Sequence, residues 1–226
     1  NIFWNTMNNG KLTGAITIDL RKAFDTIDHE LLLAKLRAYG VKGLALKWFE
    51  SYLCNRRQCV TIGRTLSDSL PITTGIPQGS IIGPLLFLIF INDLPDVLSH
   101  SRAHLYADDT SVTASDNCVR SLALKLNSDM SNLYGWLCAN KLTLNIPKCN
   151  CIIFGTAQRL SKIDKTDFTI DRNGQAIAQV SETKLLGITL DSTLSFQPHV
   201  NQLCTKIARK LGLLKYLKSF IPTKYV

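Results

Sequence analysis

Hydrophobic residues recur along the chain in two spacings, one typical of helices and the other of strands. Apolar residues three and four positions apart predict helices over four stretches, His29–Tyr39, Leu44–Leu53, Val119–Leu137 and Val200–Leu217. Pro84 suits the first turn of a fifth helix that runs to about Asn92.

Short apolar runs between turn-forming residues predict strands. They lie at Thr13–Leu20, Gln58–Ile62, Asp68–Thr73, Ala103–Ala114 (two strands around a tight turn at Ala107–Asp109), Cys151–Phe154, either side of an Asp171–Gly174 turn, and Leu185–Leu190. Helices and strands are interleaved without a regular βαβ rhythm, which indicates the mixed α+β class.

The composition favours a folded protein with an anionic partner. With 226 residues, 46% of them hydrophobic, the chain can bury a substantial core in one large domain or two small ones. Its 26 Lys and Arg against 17 Asp and Glu give a net charge of +9. Nucleic acid is the commonest partner of such a surplus, although a merely basic soluble protein fits the charge equally well.

Nothing in the sequence indicates export or a membrane span. The chain starts without a basic region followed by an apolar one, and the apolar run Ile81–Ile91 is too short to cross a bilayer. The seven Cys have no framework spacing, and Cys149 and Cys151 lack a second pair that would complete a zinc site. We expect an intracellular protein, nuclear or cytoplasmic and not secreted, with reduced thiols.

Three carboxylates lie at the ends of apolar segments, where an unpaired negative charge would be unfavourable. Asp19 ends an apolar strand, and Asp108 and Asp109 are adjacent at a tight turn that follows another apolar run. Divalent metals satisfy such groups, and two metals about 3.5–4 Å apart can activate a hydroxyl and stabilise leaving pyrophosphate. Asp-Asp is also ordinary turn chemistry, so the metal hypothesis requires the two strands to be neighbours.

Five blocks resemble, in order, the reverse transcriptases of non-LTR (LINE-type, jockey-like) retrotransposons. They are Asp19–Asp25 with Thr26–His29, Gly75–Phe87 with Ile91–Leu94, Leu105–Asp109, Asn140–Asn145 with Lys148, and Leu185–Asp191 with Phe196 and His199. The resemblance covers about residues 11 to 220. It implies a right-hand polymerase palm, an antiparallel sheet backed by helices, with partial fingers and the start of a thumb. We expect a single domain over 1–226, with the palm and inserted fingers-side elements over 11–198 and the start of the thumb over 199–226.

The resemblance also implies a catalytic centre. Asp19, Asp108 and Asp109 would hold two Mg²⁺ ions, with the Leu20 carbonyl as a further ligand and Mn²⁺ as a possible substitute. Lys148 is a candidate acid for the leaving pyrophosphate, with a solvated loop lysine as the alternative.

The resemblance further implies residues that bind the substrates. The N–H groups of Lys22 and Ala23 would meet the triphosphate, and the Phe24 ring would exclude a ribose 2′-OH, unless it is simply a core residue. The implied contacts to nucleotide, template and primer are Pro77, Gln78, Gly79 and Tyr106, with Leu186 and Gly187 as a primer grip. Basic residues of the last helix could touch duplex phosphates or form a solvated face; they are Lys206, Arg209, Lys210, Lys215 and Lys218.

The function expected is RNA-directed DNA synthesis with an RNA template, a DNA primer and dNTPs as partners, and the oligomeric state stays open. The family's fingers elements before the first block, most of its thumb and an endonuclease domain are not found, so we expect a fragment. Two alternatives remain: an inactive truncated remnant that binds nucleic acid, and an RNA-dependent RNA polymerase, which Phe24 disfavours.

Overall fold

The computed structural model of the chain describes residues 2–172, 175–217 and 220. Its helices are α1 (Ile2–Asn8), α2 (His29–Ala38), α3 (Gly43–Leu53), α4 (Gly83–Ile91), α5 (Val119–Ala139), α6 (Ala157–Leu160) and α7 (Gln197–Leu217). Its strands are β1 (Leu12–Ile18), β2 (Arg56–Gln58), β3 (Thr61–Ile62), β4 (Thr65–Leu66), β5 (Leu70–Ile72), β6 (Arg102–Tyr106), β7 (Asp109–Asp116), β8 (Asn150–Phe154), β9 (Asp171–Arg172), β10 (Gln175–Ala176), β11 (Ala178–Gln179), β12 (Glu182–Leu185) and β13 (Ile188–Asp191). Short 3₁₀ turns lie at Leu94–Val97, Ile146–Lys148 and Lys165–Asp167.

A five-stranded sheet with the order β11-β8-β1-β7-β6 forms the centre of the fold. β1 is its middle strand and pairs antiparallel with both β7 and β8, while β11 adds a parallel edge. Every residue of β1 except Thr17 is buried, which is why the strand is apolar almost throughout. Gly14 lets α5 approach closely, because a Cβ there would lie 2.6 Å from Leu126 Cδ1.

Two clusters of buried side chains cover the two faces of the sheet. The larger one joins β1 to α2, α4 and α5 and includes Phe87, Phe90 and Leu126. The smaller one brings α1 onto the other face, where Phe3 packs edge-on against Phe154 with ring centroids 4.9 Å apart. Helices therefore back an antiparallel-rich sheet, as the family resemblance implies.

Lys35 links three helices inside the larger cluster. Its Nζ donates to the Phe90 carbonyl and to Asp93 Oδ1, both at 2.6 Å, and lies 4.8 Å from the ring centroid of Trp136. Burial lowers the pKa of Lys35, while the Asp93 carboxylate acts in the opposite direction. The amine thus holds α2 against α4, the helix of the second sequence block.

Most predicted elements are confirmed, and the exceptions are local. The strand predicted over Thr13–Leu20 ends at Ile18, and the pair Gln58–Ile62 and Asp68–Thr73 is interrupted into β2–β5 and β3–β4. The single strand predicted over Leu185–Leu190 is wrong. Leu186 and Gly187 adopt positive φ values of 46° and 85° and turn the chain between β12 and β13. The turn expected at Asp171–Gly174 falls partly on residues 173 and 174, which lie outside the described residues.

Within the described residues, nothing covers the apolar stripe of the last helix, α7. Side chains of the stripe such as Leu203, Ile207 and Leu211 are about half exposed, whereas Gln202 Oε1 accepts from Thr189 Oγ1 at 3.0 Å and ties the helix to β13. Lys218 lies outside the described residues. Among those that are described, no helix is both long and apolar enough to cross a membrane.

A buried carboxylate fixes the connection from β13 to α7. Asp191, 8% exposed, accepts hydrogen bonds from the N–H groups of Ser195 and Phe196 and from the N–H and hydroxyl of Thr193. Burial alone would raise the pKa of Asp191, but these hydrogen bonds outweigh it and hold the pKa at about 2. The charged form is therefore the one that stabilises the fold.

Asp191→Asn is expected to lower the free energy of unfolding by about 2 kcal/mol at neutral pH. The folded-state pKa lies below the unfolded value of 3.8, so the stabilisation is fully present above about pH 4 and is lost as pH falls toward 2. Urea denaturation at pH 7 and pH 3 measures this, with the exposed Asp68→Asn as control. A loss of equal size at both pH values would contradict the assignment.

Candidate active site

The three predicted carboxylates meet at one end of the central sheet. β1 and β7 pair Ile18 with Thr110, so one step further along each strand brings Asp19 beside Asp109. β6 and β7 pair Tyr106 with Asp109, which leaves Ala107 and Asp108 as a two-residue turn in which Ala107 has a φ of 51°. The neighbouring strands that the metal hypothesis requires are therefore present.

A cavity of about 550 Å³ opens at this end of the sheet. Eight residues predicted from the sequence line it, namely Asp19, Leu20, Lys22, Ala23, Phe24, Gln78, Asp108 and Lys148. Arg21, Asp25 and Asn145 complete its lining. The cavity unites residues from four of the five sequence blocks.

Asp19 leaves β1 half-buried and is held by the segment that precedes β8. Asn145 Nδ2 donates to Asp19 Oδ2 at 2.7 Å, and the Asn145 N–H donates to the Asp19 carbonyl at 2.9 Å. The Asp19 N–H points at Cys149 Sγ, 3.5 Å away. Burial raises the pKa of the Cys149 thiol, and the Asp19 charge adds to the effect, so this cysteine remains a neutral packing group.

The chain turns sharply after Asp19 and exposes backbone groups to the cavity. Lys22 has a φ of 47°, and its carbonyl accepts from the N–H groups of Asp25 and Thr26. In the described residues, the N–H groups of Lys22 and Ala23 donate to no backbone carbonyl. The bridge between Leu20 and Leu144 consists of two hydrogen bonds, from the Arg21 N–H to the Thr143 carbonyl and from the Asn145 N–H to the Asp19 carbonyl. The Leu20 carbonyl takes part in neither bond.

Phe24 lines the cavity and also packs on the core. Its ring stacks on Phe87 with centroids 4.5 Å apart and planes 25° from parallel. Its carbonyl accepts from the Ile76 N–H at 2.8 Å, which fixes the ring relative to the loop of the second sequence block. The two hypotheses for Phe24, core residue and cavity residue, are thus compatible.

The loop Gly75–Ser80 lies directly against the turn that follows Asp19. Gly75 has a φ of +87°, and a Cβ there would meet the Asp25 carbonyl at 2.8 Å, so only glycine fits. His29 Nε2 lies 2.7 Å from the Gly75 carbonyl. Gln78 Nε2 then donates to Asp25 Oδ1 at 2.8 Å, which places the glutamine at the mouth of the cavity.

Six predicted residues lie outside the cavity lining. They are Asp109, Pro77, Gly79, Tyr106, Leu186 and Gly187. Tyr106 is 66% exposed next to the Asp108 turn, and Pro77 and Gly79 are exposed on either side of Gln78. Leu186 and Gly187 form the tip of the β12–β13 hairpin.

Comparison with known proteins connects this arrangement to a family. Residues 4–190 match the family described as "Reverse transcriptase (RNA-dependent DNA polymerase)". The chain belongs to the reverse transcriptase family. The match covers Asp19, Asp108 and Asp109, the Gly75–Ser80 loop and Lys148, and the resemblance inferred from the sequence is confirmed.

Curated relatives come from mobile elements of insects. One is the "Probable RNA-directed DNA polymerase from transposon BS" of Drosophila melanogaster, 32% identical over 216 residues and covering 90% of this chain but 23% of the relative. The jockey polymerase of Drosophila funebris is 27% identical, with 96% of this chain and 24% of the relative covered. The type-1 element R2 polyprotein of Popillia japonica is 28% identical, with 86% and 33% covered. The chain thus spans a third or less of each of these relatives.

Solved structures support the fold. The apo telomerase of Candida tropicalis aligns with a TM-score of 0.59 at 13% identity, covering 86% of this chain and 38% of the telomerase. The Candida albicans telomerase in complex with a fragment of telomeric RNA aligns with a TM-score of 0.54 at 11% identity, covering 85% and 33%. At these identities the likeness concerns the fold alone, and it confirms the α+β, palm-like architecture.

A second cavity of about 790 Å³ adjoins the first in this reverse transcriptase domain. The two cavities share Asp25 and Gln78, and Tyr52, Arg56 and Arg57 line the second one. Arg56 lies over the Tyr52 ring with its Cζ 5.7 Å from the ring centroid. A cationic and aromatic wall therefore continues from the carboxylate cavity toward β2.

Members of this family generally use a divalent metal ion, so the donor set needs a test. Asp19 and Asp108 line one cavity and Asp109 adjoins Asp19, which gives hard oxygen donors from two neighbouring strands. In the described part of the chain, however, no three His, Cys, Asp or Glu side chains are gathered closely enough to hold a metal. These carboxylates are oxygen donors of the type that Mg²⁺ prefers, and they lie at one end of the sheet. Their side chains would have to move closer together to bind the ion.

Sequence reasoning missed three lining residues. Arg21 and Asp25 belong to the first block, so their proximity to Asp19 was a signal that could have found them. Asn145 lies 126 residues from Asp19, and no local pattern indicates that they meet.

Proposed function

We propose that this chain is the catalytic core of an RNA-directed DNA polymerase that extends a DNA primer along an RNA template with dNTPs. One observation carries the proposal: Asp19 and Asp108 face a common cavity with Phe24 and Gln78, while Asp109 adjoins Asp19. In the reaction, the primer 3′-oxygen forms a bond to the α-phosphorus, the bond to the pyrophosphate oxygen breaks, and the hydroxyl proton leaves to solvent.

Asp19, Asp108 and Asp109, with the Leu20 carbonyl, would hold two Mg²⁺ ions, with Mn²⁺ as a possible substitute. The ions would favour the deprotonated hydroxyl and neutralise charge on the leaving pyrophosphate. Lys148 lines the same cavity and is exposed, so its ammonium group could donate a proton to the pyrophosphate.

The turn after Asp19 would receive the nucleotide. The N–H groups of Lys22 and Ala23, which have no backbone acceptor in the described residues, suit a triphosphate, since successive amides at a positive-φ turn form an anion-binding concavity. Phe24, held between the Ile76 N–H and the Phe87 ring, would place its edge where a ribose 2′-OH would clash.

The template and primer would lie on opposite sides of the cavity. Gln78, with Pro77 and Gly79 beside it, separates the catalytic cavity from the one lined by Arg56 and Arg57, whose charge and neighbouring aromatic ring suit a single-stranded nucleic acid. On the other side, Tyr106 would contact the nucleotide. The hairpin tip at Leu186 and Gly187 would support the primer terminus.

The domain layout remains part of the proposal. We assign the palm and its fingers-side insertions to 11–198 and the start of the thumb to 199–226. The basic residues of α7 include Lys206, Arg209 and Lys210, which would face duplex phosphates. The site of action would be the nucleus or cytoplasm.

Primer extension tests the proposed function. We expect Mg²⁺-dependent incorporation of dNTPs on a primed RNA template, by the chain alone or joined to the regions that flank it in its relatives. Salt-dependent binding of template–primer without any incorporation in either form would instead identify an inactive remnant. Incorporation of NTPs in preference to dNTPs would identify an RNA polymerase.

A further inference from the structure

Asn145 contacts both the carboxylate and the backbone of Asp19, and among the described residues no other side chain donates a hydrogen bond to that carboxylate. Its side-chain amide donates to the carboxylate at 2.7 Å, and its backbone N–H donates to the carbonyl of the same residue at 2.9 Å. Within the described part of the chain, Asp19 Oδ1 accepts no hydrogen bond. One carboxylate oxygen is therefore fixed and the other is left for a further ligand.

The chemistry of an amide suits this task. Asn donates a hydrogen bond without bringing a positive charge, so it orients the carboxylate while leaving its full charge to attract a cation. A lysine or arginine at the same distance would neutralise Asp19 and compete with a metal ion. Groups that hydrogen-bond to metal-ligating carboxylates orient them in this manner in metal sites generally.

Asn145 also connects Asp19 to the candidate acid. Its carbonyl accepts from the N–H groups of Lys148 and Cys149 at 2.9 and 3.2 Å, which forms the short turn Ile146–Lys148. Lys148 and Asp19 line the same cavity, and Asn145 is hydrogen-bonded to both of them.

The contact is not needed to hold the segment in place. Lys141 Nζ pairs with Asp28 Oδ2 at 2.6 Å, and the Arg21 N–H donates to the Thr143 carbonyl at 2.9 Å. The Asn145 backbone bonds also survive removal of its side chain. The amide thus acts on the carboxylate rather than on the fold.

We propose that Asn145 is a positioning residue for divalent-metal binding by Asp19. The inference rests on the proposed function, because it takes Asp19 to be a metal ligand. It deepens that function by naming the group that holds the ligand in its binding orientation.

Mn²⁺ binding, followed by electron paramagnetic resonance of the free ion, tests the inference without requiring turnover. We expect Asn145→Ala to weaken Mn²⁺ binding and to raise the Mg²⁺ concentration for half-maximal primer extension, each by about 10- to 100-fold. Saturating metal should restore most of the rate. Lys141→Ala is the matched control, since it breaks a bond of the same segment without touching Asp19, and should leave both quantities unchanged.

Circular dichroism confirms that each variant is folded, and Asn145→Ser replaces Asn145→Ala if the latter is not. Unchanged Mn²⁺ affinity in the folded variant overturns the inference, as does wild-type protein that binds no Mn²⁺. A wild type that binds Mn²⁺ but extends no primer, either alone or joined to its flanking regions, refutes only the proposed function, and the comparison of affinities still decides the role of Asn145.

Discussion

Asp108→Asn is expected to lower the rate of dNTP incorporation by about a thousandfold or more. Asp108 stands in the turn between β6 and β7 and lines the same cavity as Asp19. Asn has the same size but lacks the charge that would hold a divalent metal, and losing about 4 kcal/mol of transition-state stabilisation corresponds to a factor of about a thousand. Single-turnover primer extension measures the rate.

The matched control for Asp108→Asn is Asp96→Asn, an exposed carboxylate in the 3₁₀ turn Leu94–Val97. It makes the same change in charge away from the cavity, and its rate should stay within about twofold of wild type because surface substitutions of this kind have small effects. If Asp108→Asn kept a tenth of the wild-type rate while folded, the turn would not be a metal ligand.

Phe24→Ala is expected to reduce the preference for dNTPs over NTPs by about a hundredfold, or on the order of 3 kcal/mol. The effect should come from faster use of NTPs, because the space opened beside the sugar would admit a 2′-OH. Competition between matched dNTPs and NTPs on one primed template measures the preference. If the variant still excluded NTPs, Phe24 would not be the residue that excludes the ribose 2′-OH.

Stability must be separated from selectivity in that experiment. Phe24 is partly buried and stacks on Phe87, so its truncation should also cost about 2 kcal/mol of folding free energy. Phe87→Leu disturbs the same stack from the core side and does not line the cavity. It should lower the unfolding temperature while leaving the dNTP preference intact.

The elements that could be predicted from the sequence are those in which the spacing of apolar residues matches the positions that are buried in the structure. The stripe over Val119–Leu137 became α5, with Leu122, Leu126 and Leu133 fully buried against the sheet. β1 was evident because it is enclosed on both faces, and the turn at Ala107–Asp108 because small and acidic residues favour one.

The errors arose where the local pattern was ambiguous. The apolar run Leu185–Leu190 is typical of a strand. Leu186, however, has a left-handed φ that leucine rarely adopts, so the chain turns there and forms the tip of a hairpin. The apolar stripe of α7 has helical spacing, but spacing does not say what covers it, and the described structure leaves it exposed.

The site was only partly predictable for a different reason. Asp19 and Asp108 could be inferred because unpaired carboxylates next to apolar strands need a partner. The partner that Asp19 finds within the chain, Asn145, is brought to it by the pairing of β1 with β8. Such long-range pairing leaves no periodic trace in either segment.

The central place of β1 has a consequence for how the protein is made. β1 is synthesised well before its sheet neighbours β7 and β8, which follow much later in the chain. Until residues 150–154 have emerged, an apolar strand has at least one edge without a hydrogen-bonding partner, a state prone to aggregation. This part of the nascent chain therefore stays in a vulnerable form until β8 has been made, and assistance by chaperones would act at that stage rather than on the finished domain.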